Sequence, residues 1–285
     1  MTDSIHLENL TIQTQKGKQL QTLVKKVSLT VPKGKILGIV GESGSGKSLT
    51  VKSMMGIQPK DLLVQYDRLE FEGKAVADYQ HLPMAMIFQD PMTSLNPLRK
   101  IGYHLDEIIK RFSPTESAEG RKKKMVDMLT KVGISNPEQR LKQFPFEFSG
   151  GMRQRILIAM ALLAEPKVLI ADEPTTALDV TIQAQILALI KQLQESLDLT
   201  VIIVSHDFSV IAGLCDQVKV MREGQIVEAG TVDDIFDNPL HPYTQELLQA
   251  ARLETGPTSD FLSQEKIDGP LVAVSGTHFV RQGGY

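Results

Sequence analysis

The chain has 285 residues, 42% of them hydrophobic and 23% charged, which is typical of a soluble globular protein with one large domain or two modest ones. Its formal net charge of −3 predicts no general binding of nucleic acid. The single cysteine, Cys215, excludes an internal disulfide and a multi-cysteine metal or iron–sulfur site. No apolar stretch reaches the roughly 20 residues needed to cross a bilayer, so we expect any membrane connection to come through a partner.

The first third of the chain has the pattern of strands. Residues 5–12 and 27–31 alternate apolar and polar side chains, which is the period of a half-buried strand. Residues 36–40 form a short continuous apolar run, which is typical of a strand buried on both faces. Several glycines follow this run, and residues 48–55 then have the pattern of a helix.

Two further buried strands are predicted at residues 167–171 and 200–204, and residues 181–197 between them form a strong helical segment. This alternation of buried strands and helices indicates a parallel α/β sheet covered by helices. Residues 217–229 have the pattern of a closing hairpin, with its turn at residues 223–224.

The segment 91–165 differs from the rest of the chain. It carries few strand signals and three helical ones, at residues 101–112, 117–132 and 152–164. We therefore predict a helical subdomain that interrupts the α/β core. The tail beyond Thr255 is rich in Gly, Ser and Thr without a clear period, so we expect it to be loosely ordered.

A phosphate-binding loop follows the buried strand at residues 36–40. It matches G-x-x-x-x-G-K-[ST] without deviation, through Gly41, Glu42, Ser43, Gly44, Ser45, Gly46, Lys47 and Ser48. The glycines let successive N–H groups point at phosphate oxygens, and the following helix adds the positive end of its dipole. Lys47 supplies charge to the β- and γ-phosphates, and the Ser48 hydroxyl can bind Mg²⁺. The loop alone leaves kinases, GTPases and ATPases open.

Two carboxylates end the buried strand at residues 168–171. Asp172 lies at its tip, where a carboxylate near the phosphate loop can hold Mg²⁺ directly or through water. Glu173 points differently and is free to orient or deprotonate an attacking water. The alternative is a pair of solvated acids in a loop, which a phosphate loop in the same chain disfavours.

Four further segments resemble those of the ATP-binding-cassette (ABC) ATPases, in the same order and spacing over about residues 5–235. They are Gln89 (the Q-loop), residues 148–155 with the sequence FSGGMRQR (the signature), Ala177, Leu178 and Asp179 (the D-loop), and His206 (the switch histidine). One departure is Met152, which stands where the signature usually has Gln. The resemblance implies ATP as the nucleotide.

This resemblance also implies the fold and its divisions. We expect a P-loop ATPase core of the α/β class, with a parallel sheet and an N-terminal antiparallel β part, interrupted by a helical subdomain. The predicted bounds are 1–90 and 166–235 for the core, 91–165 for the subdomain and 236–285 for a C-terminal extension.

The signature segment is implied to serve a neighbouring molecule. Ser149, Gly150 and Gly151 precede a predicted helix and so form a second helix-start anion site. One chain cannot easily direct two such sites at one γ-phosphate, so the resemblance implies that this site completes the nucleotide site of a partner subunit. A plain helix cap is the alternative.

The remaining residues are implied to serve hydrolysis. His206 is implied to contact the γ-phosphate and to hold the attacking water in line. Gln89 is implied to join Ser48 and Asp172 at Mg²⁺, to act in catalysis with Glu173 and His206, and to report the nucleotide state to whatever the subdomain contacts.

Recognition of the adenine base is expected to be unusual. Residues 1–65 contain no Phe, Tyr or Trp, although the family commonly stacks adenine on an aromatic from this stretch. We therefore expect the aliphatic region around Ile12, or His6, to take that role, with looser discrimination between bases.

Residues 238–244, with the sequence NPLHPYT, resemble the peptide and nickel importer branch. The resemblance implies an ATP-hydrolysing subunit of a peptide importer, peripheral on the cytoplasmic face of the membrane. A nickel or metal-chelate importer is the alternative, and a soluble ABC ATPase acting on ribosomes or DNA a distant one. The implied partners are a second ATPase subunit, paralogous or identical, two membrane-spanning permease subunits and an extracytoplasmic substrate-binding protein.

Overall fold

The computed structural model describes residues 3–17, 19–77, 79, 82–90, 94–176, 178–252 and 269–282. The chain divides into two compact units, which are described separately below. The first unit consists of Met1–Leu82 with Thr200–Tyr285, and the second of Pro83–Leu199. Among the described residues, every helix is too short or too polar to span a bilayer.

The regular elements account for most of both units. The strands are β1 (Asp3–Lys16), β2 (Gln19–Pro32), β3 (Ile36–Val40), β4 (Leu62–Gln65), β5 (Arg68–Phe71), β6 (Lys74–Ala75), β7 (Met84–Ile87), β8 (Val168–Asp172), β9 (Thr200–Ser205), β10 (Gln217–Arg222), β11 (Gln225–Thr231), β12 (Leu271–Ala273) and β13 (Phe279–Arg281). The helices are α1 (Lys47–Met54), α2 (Ile101–Phe112), α3 (Ala118–Lys131), α4 (Pro137–Arg140), α5 (Gly150–Leu163), α6 (Val180–Leu197), α7 (Phe208–Ala212), α8 (Val232–Asp237) and α9 (Pro242–Arg252).

An antiparallel sheet forms one layer of the first unit. Its strands lie in the order β2-β1-β5-β6, and β4 also pairs with β1. Alternate residues of β1 are buried, but the alternation shifts by one residue between Leu7 and Leu10. Asn9 lies in this register shift with a positive φ of 54°, the conformation of a residue that bulges from a strand. The predicted antiparallel part is confirmed, whereas the sequence pattern missed the short strands β4–β6.

The first unit also contains six strands of a second, larger sheet, which is called the main sheet below. They lie in the order β12-β13-β11-β10-β3-β9, and β3 pairs in parallel with both β9 and β10. All residues of β3 and β9 are buried, as their continuous apolar runs predict. The predicted hairpin is confirmed, since β10 and β11 pair antiparallel around residues 223–224.

The C-terminal tail corrects one expectation. We expected loose order beyond Thr255, but β12 and β13 pair antiparallel and β13 adds to β11 at the edge of the main sheet. Residues 271–273 and 279–281 therefore belong to the sheet. Three-residue strands carry no readable periodicity, and the pairing depends on contacts remote in sequence. The other residues of the tail lie outside the described part of the chain.

The second unit is largely helical. In α2 the buried residues Ile101, Leu105 and Ile109 recur every four positions, which produces one apolar stripe. The three helices predicted in this region are confirmed as α2, α3 and α5. The compact unit exceeds the predicted 91–165 because α5 packs on β7 and α6 as well as on α2 and α3, and β7 pairs in parallel with β8. The domain bounds given above stay a prediction.

Candidate nucleotide-binding site

The predicted phosphate loop, residues 41–48, connects β3 to α1. Its first residue, Gly41, has a φ of +152°, and a Cβ atom there would lie 2.1 Å from the carbonyl oxygen of Met221 on β10. Any side chain would therefore force the loop away from the sheet, so this position requires glycine. At the other end of the loop Gly46 stands at the N-cap of α1.

The side chain of Lys47 folds back over the loop and is almost fully buried. Its ammonium Nζ donates to the carbonyl oxygens of Gly41 and Glu42, each at 2.7 Å, and lies 3.4 Å from the Ser45 hydroxyl. A buried charge is costly unless hydrogen bonds compensate for the loss of water. These loop oxygens compensate the ammonium and hold its position in the loop.

The hairpin of β10 and β11 supports the phosphate loop. The backbone N–H of Gly224, in the hairpin turn, donates to the carbonyl oxygen of Ser45 at 3.0 Å. The carbonyl oxygen of Gly224 accepts from the N–H of Lys25 on β2 at 2.8 Å. The turn is thus bonded to the loop and to the antiparallel sheet at the same residue.

A tyrosine from the C-terminal region also contacts the loop. Tyr243 is fully buried, and its hydroxyl oxygen accepts from the backbone N–H of Glu42 at 3.2 Å. Burial raises the pKa of this hydroxyl to about 12, so it stays protonated at physiological pH. Sequence reasoning used the surrounding motif only for a family branch. No spacing rule connects positions 42 and 243.

His206 follows β9 at an exposed position, at the end of the strand as predicted. Its two neighbours in sequence have structural roles. The Ser205 hydroxyl accepts from the N–H of Asp207 at 2.9 Å, and the Asp207 carboxylate accepts from the N–H and hydroxyl of Ser209 at the start of α7. The contacts of Ser205 and Asp207 are therefore those of a helix cap, not those of a hydrolase triad.

In the second unit, the two predicted carboxylates have different environments. Asp172 is buried at the end of β8. Glu173 is half-buried with a positive φ of 49°. Its Oε2 accepts from Gln89 Nε2 at 2.7 Å and from the Thr176 hydroxyl at 3.0 Å. The structure thus brings Gln89 and Glu173 together, and it adds Thr176, which no sequence motif indicated.

The signature segment begins α5. Ser149 is the N-cap, and its hydroxyl accepts from the N–H of Met152 at 3.4 Å. A Cβ atom at Gly151 would lie 2.5 Å from Ile182 Cγ2 on α6, so the backbones of the two helices approach closely here. Asp179 caps α6 by accepting from the N–H of Ile182 at 3.0 Å. The signature and the D-loop are therefore neighbours, while Ala177 of the D-loop lies outside the described residues.

The expectation for the adenine base is wrong for Ile12. This side chain is fully buried inside the sheet, so it has no surface to offer a base. His6 bonds to Glu8, with Nε2 2.7 Å from Oε1, and lines a cavity together with Lys33 and Arg68. That cavity includes no residue of the phosphate loop. A role for His6 in base recognition stays a prediction.

The fold and the phosphate loop define a nucleotide-binding protein of the α/β class, and comparisons with known proteins give its family. Residues 24–176 match the ABC transporter profile, and residues 227–270 match that of the oligopeptide/dipeptide transporter C-terminal region. The chain belongs to the ABC transporter family, as an ATP-hydrolysing cassette.

Individual relatives agree with this assignment. The chain is 48% identical over 270 residues to the oligopeptide transport ATP-binding protein OppD of Bacillus subtilis (strain 168), covering 92% of this chain and 72% of the relative. It is 44% identical over 238 residues to the dipeptide transport ATP-binding protein DppD of Escherichia coli (strain K12), covering 80% and 72%. The dimeric post-hydrolysis structure of the ATP-binding cassette MJ0796 bound to ADP and Pi matches with a TM-score of 0.67 at 26% identity, covering 80% of this chain and 98% of that one.

Proposed function

We propose that this chain binds and hydrolyses ATP as a subunit of an importer of oligopeptides or dipeptides. The proposal that the cargo is a peptide rests on residues 227–270. They match the oligopeptide/dipeptide transporter C-terminal region and follow the ABC transporter match in the same chain. The relatives described above are named for peptides, which favours peptides over nickel or a metal chelate. The same match disfavours a soluble ABC ATPase acting on ribosomes or DNA.

The phosphate loop supports the proposed binding of ATP. Gly46 at the N-cap of α1 offers no side-chain oxygen to the first helical turn. A helix start without a side-chain cap suits a phosphate oxygen, which can accept from its N–H groups. Lys47 sits beside this start and would place its charge on the β- and γ-phosphates.

A magnesium ion fits the proposed residues only together with the nucleotide. Among the described residues, no group of three or more His, Cys, Asp or Glu side chains could hold a metal ion. The proposed ligands are Ser48, Asp172 and Gln89, all with oxygen donors, and Mg²⁺ is usually bound by few protein ligands plus substrate phosphates. When bound, the ion neutralises charge on the β- and γ-phosphates.

Hydrolysis is assigned to Glu173 and His206, with Gln89 bonded to Glu173. Glu173 would orient the attacking water and take its proton, because the carboxylate is half-exposed and accepts hydrogen bonds from Gln89 and Thr176. His206, exposed at the end of β9, would contact the γ-phosphate and hold the water in line.

The proposed assembly has two ATPase subunits. Ser149, Gly150 and Gly151 would bind the nucleotide of the second subunit, which is a paralogue or a second copy, and each nucleotide would lie between two chains. Two membrane-spanning permease subunits and an extracytoplasmic binding protein would complete the importer. The ATPase chain would then be peripheral, on the cytoplasmic face of the membrane.

A transport assay tests this function. The chain is expressed in cells without a peptide importer, together with the permease, second ATPase and binding protein that co-purify with it. Uptake of labelled di- and tripeptides is then compared with uptake of labelled nickel. We expect peptide uptake that is lost with Glu173→Gln. The control Glu195→Gln changes an exposed glutamate of α6 and should transport normally. Nickel uptake without peptide uptake would contradict the proposed cargo.

A further inference from the structure

One peptide group of the phosphate loop is held from both sides. The group joins Gly41 to Glu42. Its carbonyl oxygen accepts from Lys47 Nζ at 2.7 Å, and its N–H donates to the Tyr243 hydroxyl oxygen at 3.2 Å. A peptide group is planar, so fixing its N–H also fixes the direction of its carbonyl. Tyr243 therefore sets the orientation of an oxygen that holds the Lys47 ammonium.

Tyr243 is itself held in place. Its ring is fully buried, and the guanidinium carbon of Arg222 lies 4.9 Å from the ring centroid. Its backbone N–H donates to Nδ1 of His241 at 3.1 Å. The first turn of α9 and the side chain of Arg222 thus leave the hydroxyl little freedom to move away from the loop.

A buried carboxylate anchors the segment that carries this tyrosine. Glu228 on β11 is fully buried and accepts from the N–H groups of Leu240 at 2.8 Å and His241 at 3.1 Å. Nε2 of His278, which precedes β13, lies 2.7 Å from the same carboxylate. A buried charge with three hydrogen-bond partners is rigid, because each partner lost would leave the carboxylate less compensated. The position of the tyrosine is therefore built into the main sheet.

We propose that Tyr243 is a positioning residue for Lys47, through which the C-terminal His-Pro-Tyr segment sets the affinity of the phosphate loop for nucleotide. This inference rests on the proposed role of Lys47 in phosphate binding. Removing the Tyr243 hydroxyl takes the acceptor from the part-buried N–H of Glu42. The peptide group can then rotate, which displaces the Gly41 carbonyl oxygen that accepts from Lys47. Tyr243 does this without contacting the phosphates.

The test is a double-mutant cycle on the full-length chain. The affinity for a fluorescent N-methylanthraniloyl ATP is measured by titration for wild type, Tyr243→Phe, Lys47→Ala and the double variant. The matched control is Tyr66→Phe, which removes a part-buried hydrogen bond between the Tyr66 and Tyr79 hydroxyls, 2.7 Å apart, outside the phosphate loop. We expect Tyr243→Phe to weaken binding about three- to tenfold, the range for one lost hydrogen bond, and Tyr66→Phe to leave it unchanged.

The cycle separates a positioning role from a structural one. If Tyr243 acts through Lys47, Tyr243→Phe adds no loss in the Lys47→Ala background. Unchanged affinity of Tyr243→Phe, or an equal loss in both backgrounds, would overturn the proposal. Undiminished binding by Lys47→Ala would overturn the proposed function of the loop and this inference with it. If Tyr243→Phe does not fold, a ring-fluorinated tyrosine at position 243 weakens the oxygen as an acceptor and should lower affinity in the same direction.

Discussion

Gln89 and Glu173 are joined by a single hydrogen bond, in which the amide Nε2 donates to the carboxylate Oε2 at 2.7 Å. The two residues come from segments that follow β7 and β8, which pair in parallel, so their strands end at the same edge. The Thr176 hydroxyl donates to the same oxygen at 3.0 Å. A half-exposed carboxylate would otherwise sample several rotamers, and these two donors restrict it to one.

The first prediction concerns this restriction. Gln89→Ala removes the shorter of the two bonds and also a proposed Mg²⁺ ligand. A hydrogen bond to a charged group contributes enough positioning energy that loss of the bond alone should lower the turnover number about tenfold. Thr176→Val removes the longer bond and should lower turnover less. Phosphate release at saturating ATP by the assembled transporter measures both effects. Turnover that drops more for Thr176→Val than for Gln89→Ala would contradict the assigned order of the two donors.

A second prediction separates the capping role of Ser149 from its proposed role at the partner's nucleotide. Ser149→Ala removes the cap of α5, which costs about 1 kcal/mol of stability. Ser117→Ala is the matched control, because the Ser117 hydroxyl caps α3 by accepting from the N–H of Gly120 at 3.0 Å. We expect similar losses in urea unfolding but a loss of ATPase activity in the assembled transporter only for Ser149→Ala.

Binding of nucleotide by the isolated chain completes this comparison. The Ser149→Ala chain should keep its own affinity for ATP, since the proposed site of action is the nucleotide of the second subunit. Equal ATPase activity of the Ser149 and Ser117 variants would show that Ser149 only caps its helix. It would then not belong to the proposed site at the partner's nucleotide.

The third prediction compares two adjacent glycines at the start of α5. Replacing glycine by alanine in a helix usually stabilises it by up to about 1 kcal/mol. A Cβ at Gly150 would lie 3.2 Å from Leu178 Cδ2, the end of a flexible side chain that can move aside. A Cβ at Gly151 would lie 2.5 Å from Cγ2 of Ile182, a β-branched residue with a restricted χ1.

We therefore expect different changes in stability for the two variants in urea unfolding. Gly150→Ala should be neutral or slightly stabilising, whereas Gly151→Ala should destabilise by about 1–3 kcal/mol because the two helices must separate. Equal stability of both variants would show that the contact between α5 and α6 is less tight than the structure has it.

The sequence predicted the elements whose pattern is local. The apolar run at β3 and the four-residue spacing in α2 gave bounds that the structure reproduces, because burial on both faces or on one stripe leaves a periodic record. The hairpin β12–β13 left no such record. Its strands have three residues each, and their order depends on pairing with β11 about 50 positions away.

In the candidate site, too, local motifs could be predicted and contacts between remote residues could not. The phosphate loop and the carboxylates were recognised because the motifs hold their chemistry in consecutive residues. The contact of Tyr243 with the Glu42 N–H could not be predicted from the sequence. It joins residues 201 positions apart and uses a backbone group, which has no sequence signature. The expectation that the region around Ile12 contacts the base rested on composition alone. Ile12 is fully buried in β1, after the register shift at Asn9.

The last prediction concerns the anchor of the C-terminal hairpin. His278→Ala removes the partner of a fully buried carboxylate, Glu228, whose remaining donors are the backbone N–H groups of residues 240 and 241. We expect a loss of about 2–3 kcal/mol in urea unfolding, the range for a buried bond to a charged group. Thr277→Val is the control, because it removes an exposed bond to Asp234 at 3.0 Å in the same hairpin and should cost less than about 1 kcal/mol. Equal losses of stability for His278→Ala and Thr277→Val would mean that strand pairing alone holds the hairpin. Glu228 would then not connect the hairpin to the segment before α9.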